Sequence, residues 1–145
     1  MNHPPSRVLQ EYLIEQAIFA RPSAGGSWPL WDSQLPDGPD VPDNAAALYD
    51  EAPKIDGREM NTNVIVEHPG ISFTLRSRLY ATGWLKLYSV MMLLADLLDA
   101  EVVLEGSTYV IHSVTNRTGV VSQGQEIATR RCLFEMGLNV TMEML

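Results

Sequence analysis

Asp37, Asp40 and Asp43, spaced every third residue in PDGPDVPDN, are the first side chains here whose type and spacing could do chemistry, because converging carboxylates bind hard cations. An EF-hand loop takes a ligand at every second residue and closes with a glutamate at its twelfth position. In this chain prolines separate the aspartates and no helix is expected on either side, so the stretch reads as a solvated acidic loop. His3, His68 and His112 are scattered, and with Cys132 they form none of the spaced pairs that mark a zinc site. Cys132 falls on the apolar side of an alternating segment, where burial suppresses the thiolate. No glycine-rich phosphate cradle leads from an expected strand into a helix, and Ser122 to Gln125 is not a nucleophile elbow. Carboxylate pairs such as Asp96 with Asp99, or Asp50 with Glu51, arise by chance in so acidic a chain. The expectation is a non-enzymatic protein with no metal and no cofactor.

Composition narrows the remaining classes. The chain has 145 residues, 46 % of them hydrophobic, enough for one cored domain spanning residues 1–145. Lys and Arg number 10 against 18 Asp and Glu, a formal charge of -8, so the basic footprint of a phosphate-gripping protein is missing. Residues 1–60 hold ten acids against four bases, which concentrates the negative charge in the first part of the chain. With one cysteine, and with MNHPPSRVLQ lacking the basic head and apolar run of a signal peptide, a reducing cytoplasm is expected. The most apolar stretch, Leu87 to Leu98, is too short to span a bilayer.

The elements that must position these residues follow from periodicity. Pro4 and Pro5 lead into a helix over about 7–20 that Ser6 could cap and Arg21-Pro22 would stop. Residues 21–44 are rich in proline and glycine but carry Trp28, Leu30, Trp31, Leu35 and Val41, which reads as a long docking loop with apolar anchors. Short strands are expected at 46–51, 63–67 and 71–77, with His68-Pro69-Gly70 interrupting the ladder between the last two. A helix over 80–98 places Trp84, Leu87, Met91, Leu94 and Leu98 on one stripe. It also carries Leu85, Tyr88, Met92 and Leu97 on other faces, more apolar surface than one sheet can cover. Successive hairpins are expected over 101–104, 108–115 and 120–122, then a long strand over 129–142 with Cys132, Phe134, Met136, Leu138, Val140 and Met142 on one face. The fold class is α+β, a largely antiparallel sheet packed against two helices.

Three stretches carry a resemblance. The N-terminal helix and Trp/Pro-rich loop, then HPGISFTLRSRLYATGWLKL from His68 to Leu87, then GSTYVIHSV and GQEIATRRCLFEMGLNVTMEM, resemble the tail terminator proteins of tailed bacteriophages, also called minor capsid or tail completion proteins. The sequence departs from that pattern at Ser72, where a longer polar residue is expected, and at Met136-Gly137, which breaks the usual alternation before Asn139. The resemblance implies a virion protein, assembled in the bacterial host cytoplasm, that forms a homo-hexameric ring on the head-proximal end of the tail tube. Such a ring ends tube growth and offers the surface to which the head attaches, so its partners would be itself, the tail tube protein and the connector or neck proteins.

Under this reading a neighbouring subunit would cover Leu85, Tyr88 and Met92. Arg76 and Arg78 would pair with a neighbour's acids or simply form a solvated strand end. Trp28, Trp31 and Leu35 would dock the long loop on an adjacent ring or pack on their own domain. Asp37, Asp40, Asp43, Asp50 and Glu51 would supply an acidic surface or lumen through which DNA, with about one negative charge per 1.7 Å, slides without specific binding. A head-completion or connector-stopper ring is the nearest alternative, and a small metal- or nucleotide-dependent enzyme a distant one.

Overall fold

The computed structural model describes residues 2–58 and 65–145, with backbone alone over 52–58 and 65–67. Helix α1 spans Pro5–Glu15 and buries Val8, Leu9 and Leu13. It ends five residues earlier than its periodicity suggests, in a Schellman turn. Ala17 takes a left-handed φ of 58°, its N–H donates to the Ile14 carbonyl, and the Ile18 N–H donates to Leu13. Tertiary demand sets this stop: Phe19 must leave the helix to pack on Phe73, with ring centroids 5.6 Å apart, and Ala20 must pair with the backbone of Trp28 and Leu30. The expected loop over 21–44 contains a 3-10 turn at Pro22–Ala24 and a two-residue strand β1, Leu30–Trp31.

The expected Ser6 cap is also corrected. The N-cap position is Pro4, whose side chain carries no hydrogen-bonding atom, and the capping group arrives from far along the chain. The Ser6 N–H donates to Asp50 Oδ1 at 2.9 Å, and Ser6 Oγ donates to Asp50 Oδ2 at 2.6 Å. A carboxylate here satisfies an orphan amide and faces the positive end of the helix dipole. Asp50→Ala is expected to destabilise the fold by about 1–2 kcal/mol, read as a lower urea midpoint at constant m-value. An unchanged midpoint would show that water replaces the cap at no cost.

Strands β2 (Ala45–Arg58) and β3 (Ile65–Ser77) run antiparallel. The strand does not end at His68-Pro69-Gly70, since β3 runs through it, but the ladder is interrupted there: the β2–β3 register shifts between Glu51 and Lys54, leaving Pro69 unpaired, and pairing with β7 begins only at Gly70. Residues 59–64, including the expected strand start at Asn63, lie outside the described residues. Helix α2, Tyr80–Ala95, follows, and then β4 (Ala100–Leu104), β5 (Ser107–Asn116), β6 (Val121–Gln125) and β7 (Cys132–Met144). The β4–β5 hairpin turns on Glu105 and Gly106, both at positive φ, as a two-residue turn of the right twist requires. β5 and β6 do not form the expected second hairpin. Both pair with β7, one after the other along the same edge, and the 117–119 turn is pinned there. Arg117 N–H donates to the Gly137 carbonyl and Gly137 N–H to Thr118 Oγ1, each at 2.8 Å.

The sheet order is β1-β2-β3-β7-β5-β4, with β6 beside β7, and among the described strand pairs only β1–β2 is parallel. Helix α1 touches both β1 and β4, the two ends of that order, so the sheet curls into a half-barrel around it. Helix α2 packs on β3, β5 and β7, and its buried residues join those of α1 in one core with Phe73, Leu75, Phe134, Met136 and Ile111. The alternation expected for β7 holds from Cys132 to Val140, while Met142 is half-buried. The buried stripe of α2 differs from expectation. It is Gly83, Leu87, Val90 and Leu94, continued by Leu97, whereas Trp84 and Leu98 face outward.

Candidate assembly interface

Rotation of α2 toward Gly83 turns its bulkier apolar side chains to solvent. Leu85 is 58 % exposed, Met92 47 %, Tyr88 39 % and Trp84 37 %, and Leu79 and Tyr80 extend the strip past the helix start. Trp84 and Tyr88, one turn apart, stack with centroids 4.9 Å apart and an interplanar angle of 10°. The only charged residue in α2 is Lys86, and it points inward. Its Nζ donates to the Ile18 carbonyl at 2.7 Å and lies 4.9 Å from the Phe19 ring centroid and 5.5 Å from that of Trp28. Burial lowers its pKa, and the two ring faces and the carbonyl take the place of water around the ammonium. The solvent face of a 16-residue helix is thus left uncharged and mostly apolar, with Thr82 and Ser89 its exposed polar residues, where an exposed helix face ordinarily carries charge.

The outer face of the sheet is built differently. Arg76, on that face of β3, is 1 % exposed and donates to the Pro36 and Pro42 carbonyls, each at 2.5 Å. Arg131, just before β7 and 2 % exposed, donates to Gly38 O at 2.8 Å and Val41 O at 3.3 Å, and its Nε reaches Glu126 Oε1 at 2.7 Å. Two guanidinium forks therefore hold the 36–43 loop against the sheet by its carbonyl oxygens. Burial foremost, and then the charge of Arg131, push the Arg76 pKa below its ordinary value. The expectation that Arg76 serves a neighbouring subunit is corrected, because its guanidinium is sequestered in its own chain. Arg78 is exposed, and among the described residues its side chain has no ion-pair partner.

The other expected positions separate into groups. Trp28, Trp31 and Leu35 are half-buried against their own domain, Trp28 over Lys86 and Leu35 through an N–H donated to Tyr49 OH at 3.1 Å. Asp37, Asp40 and Asp43 sit on the clamped loop, where Asp43 lies 3.6 Å from Arg131. Asp50 and Glu51 lie further along β2, the first capping α1 and the second paired with Arg117. The histidines are dispersed: His3 contacts Tyr109 OH at 2.6 Å and Glu105 at 3.0 Å, and His68 contacts Thr141 Oγ1 at 3.0 Å. His112 bridges Asp99 at 2.7 Å and Glu143 at 3.1 Å, and its hydrogen bond to Asp99 leads the interactions that raise its pKa. Among the described residues no group of three or more His, Cys, Asp or Glu is placed to hold a metal, and no helix is long and apolar enough to cross a membrane.

Sequence reasoning missed Arg131, Lys86 and Arg117. Arg131 and Lys86 each neighbour apolar residues that hint at burial, but their partners lie 90 and 68 residues away along the chain. Comparison with protein-family models and with curated proteins returned no match.

Proposed function

We propose that this chain is a structural subunit that assembles with copies of itself into a closed ring, and that the ring is the terminator capping a bacteriophage tail tube. The observation that carries the ring is the uncharged apolar strip of Trp84, Leu85, Tyr88 and Met92. Burying a large apolar side chain is worth about 1.5–3 kcal/mol, so this strip favours a protein partner over water. A head-to-tail contact, in which the strip meets a different patch on the next copy, closes into a ring when the rotation between copies fits. The terminator role rests on the resemblance of the 68–87, 106–114 and 124–144 stretches.

Negative-stain microscopy with light scattering of the purified protein over a range of concentrations tests this. Open-centred six-fold rings that do not stack are expected. Monomers at every concentration would overturn self-assembly, and rings that stack into long tubes would point to a tube subunit instead. Leu85→Glu is expected to abolish ring formation while shifting folding stability by no more than about 0.5 kcal/mol, as for other exposed positions. Intact rings in that variant would place the interface elsewhere.

A further inference from the structure

Helix α2 is flanked by charges that its dipole disfavours. Arg78 stands two residues before Tyr80, the first helical residue, and Asp96 follows Ala95, the last. A helix dipole favours acid at the start and base at the end, and α2 has neither an acid in its first turn nor a base in its last. Both flanking side chains are exposed, and neither has a hydrogen-bond or ion-pair partner among the described residues. Each stands near a large exposed leucine, Leu79 at 62 % and Leu98 at 78 %. Arg78 also walls a cleft of about 420 Å³ together with Ser27, Trp28, Pro42, Asp43 and Asn44. This wall is more polar than apolar, and its Asp43 carboxylate already faces Arg131 at 3.6 Å. The backbone N–H of Arg78 donates to Asn44 Oδ1 at 3.0 Å, which ties the arginine to the wall while its guanidinium stays uncompensated.

We infer that Asp96 of one copy of this chain seats in the Arg78 cleft of the next. The inference rests on the ring reading above and names a contact within it. A carboxylate fits the chemistry of the cleft: the guanidinium fork of Arg78 can engage both of its oxygens, and Ser27 and Asn44 add neutral donors. Leu98, two residues beyond Asp96, would cover Leu79 beside Arg78, so the ion pair forms against apolar neighbours and is screened less by water. A 16-residue helix is about 24 Å long, so its two ends are different patches of one copy, as a head-to-tail contact requires. Successive α2 helices then follow one another with the negative end of one dipole facing the positive end of the next. The contact thus answers, at both ends of α2, a charge that a free copy leaves unmatched.

The test reverses each charge and follows assembly by light scattering and negative-stain microscopy, with thermal melting as the folding control. Arg78→Asp and Asp96→Arg each install the charge that the dipole favours, so neither is expected to melt below the wild-type chain. Each should nevertheless lose its rings, or need roughly tenfold more protein to form them. The Arg78→Asp, Asp96→Arg double variant restores opposite charges across the contact and should form rings near the wild-type concentration, as should an equal mixture of the two single variants. A second arm places Leu79→Cys and Leu98→Cys together in a Cys132→Ala background and oxidises with glutathione disulfide, and linked copies beyond the dimer are expected. Wild-type rings that persist in both single variants, rings lost in both and not recovered in the double variant, or cysteine-variant rings that give no ladder overturn this contact and leave the ring reading standing. Wild-type monomers at every concentration overturn both.

Discussion

Gly83→Ala is expected to destabilise the protein by about 2 kcal/mol, the reverse of what helix propensity alone predicts. Alanine inside a helix is favoured over glycine by about 1 kcal/mol, so at an exposed site the change would stabilise. At Gly83 a Cβ would stand 2.6 Å from Phe134 Cε2 and 2.7 Å from Ser77 Cβ. The phenylalanine ring could tilt, but it is fully buried and also packs on Tyr80, with centroids 5.1 Å apart. Ser77 Cβ is fixed to the backbone of β3 and cannot swing away, so α2 must lift from the sheet and loosen Leu87 and Val90 with it. Urea unfolding of Gly83→Ala, Phe134→Leu and the double variant checks this, since the smaller side chain should recover part of the loss. A stabilised Gly83→Ala protein would mean that the helix does not sit this close.

The second large effect is expected at Arg131. Arg131→Ala should destabilise by about 3 kcal/mol, because it leaves the largely buried Glu126 carboxylate with the Thr129 hydroxyl but no cation, and the Gly38 and Val41 carbonyls without the guanidinium donor. Lysine should recover little, since a single ammonium cannot reproduce the forked contacts to three separate acceptors. Arg76 modulates the outcome: its guanidinium carries the same charge, so removing Arg131 relieves a repulsion while removing anchors. The Arg76→Met, Arg131→Met double variant should therefore lose more than the two single losses added together, because each single variant already relieves the one repulsion. Equilibrium denaturation measures the stabilities, and limited proteolysis at the 36–43 loop should report faster cleavage in Arg131→Ala. An unchanged midpoint and cleavage rate would show that the clamp does not restrain the loop.

Both sites show what periodicity reveals and what it conceals. Alternation from Cys132 to Val140 exposed the longest continuous apolar face of the sheet, and the dense run of large apolar residues after Tyr80 marked α2, because those patterns record burial directly. The orientation of α2 was not legible, since counting large residues favours Trp84 over Gly83 whereas close packing on Phe134 selects the residue with no side chain. The clamp was hidden for another reason. Arg76 alternates with Leu75 and Ser77 like any solvent-facing strand residue, and only the return of a loop 34–40 residues distant puts its face out of water. Asp50 caps α1 across 44 residues, again beyond any local pattern. For the proposed assembly surface, the excess of apolar residues on α2 was readable, while its orientation to solvent was not.

The position of β7 has a consequence for synthesis. The last strand of this sheet to leave the ribosome is the one between β3 and β5, and it also carries β6, so until residues 132–144 emerge the sheet is in two unconnected pieces with β6 unpaired. Helix α1 emerges first, yet the Tyr109 hydroxyl that His3 contacts follows 106 residues later, a delay of roughly 5–20 s at about 5–20 residues per second. During that interval Val8, Leu9 and Leu13 have no completed sheet to cover them. Completion of this sheet therefore waits for β7, and chaperones that hold nascent apolar segments would meet the earlier elements as an open chain.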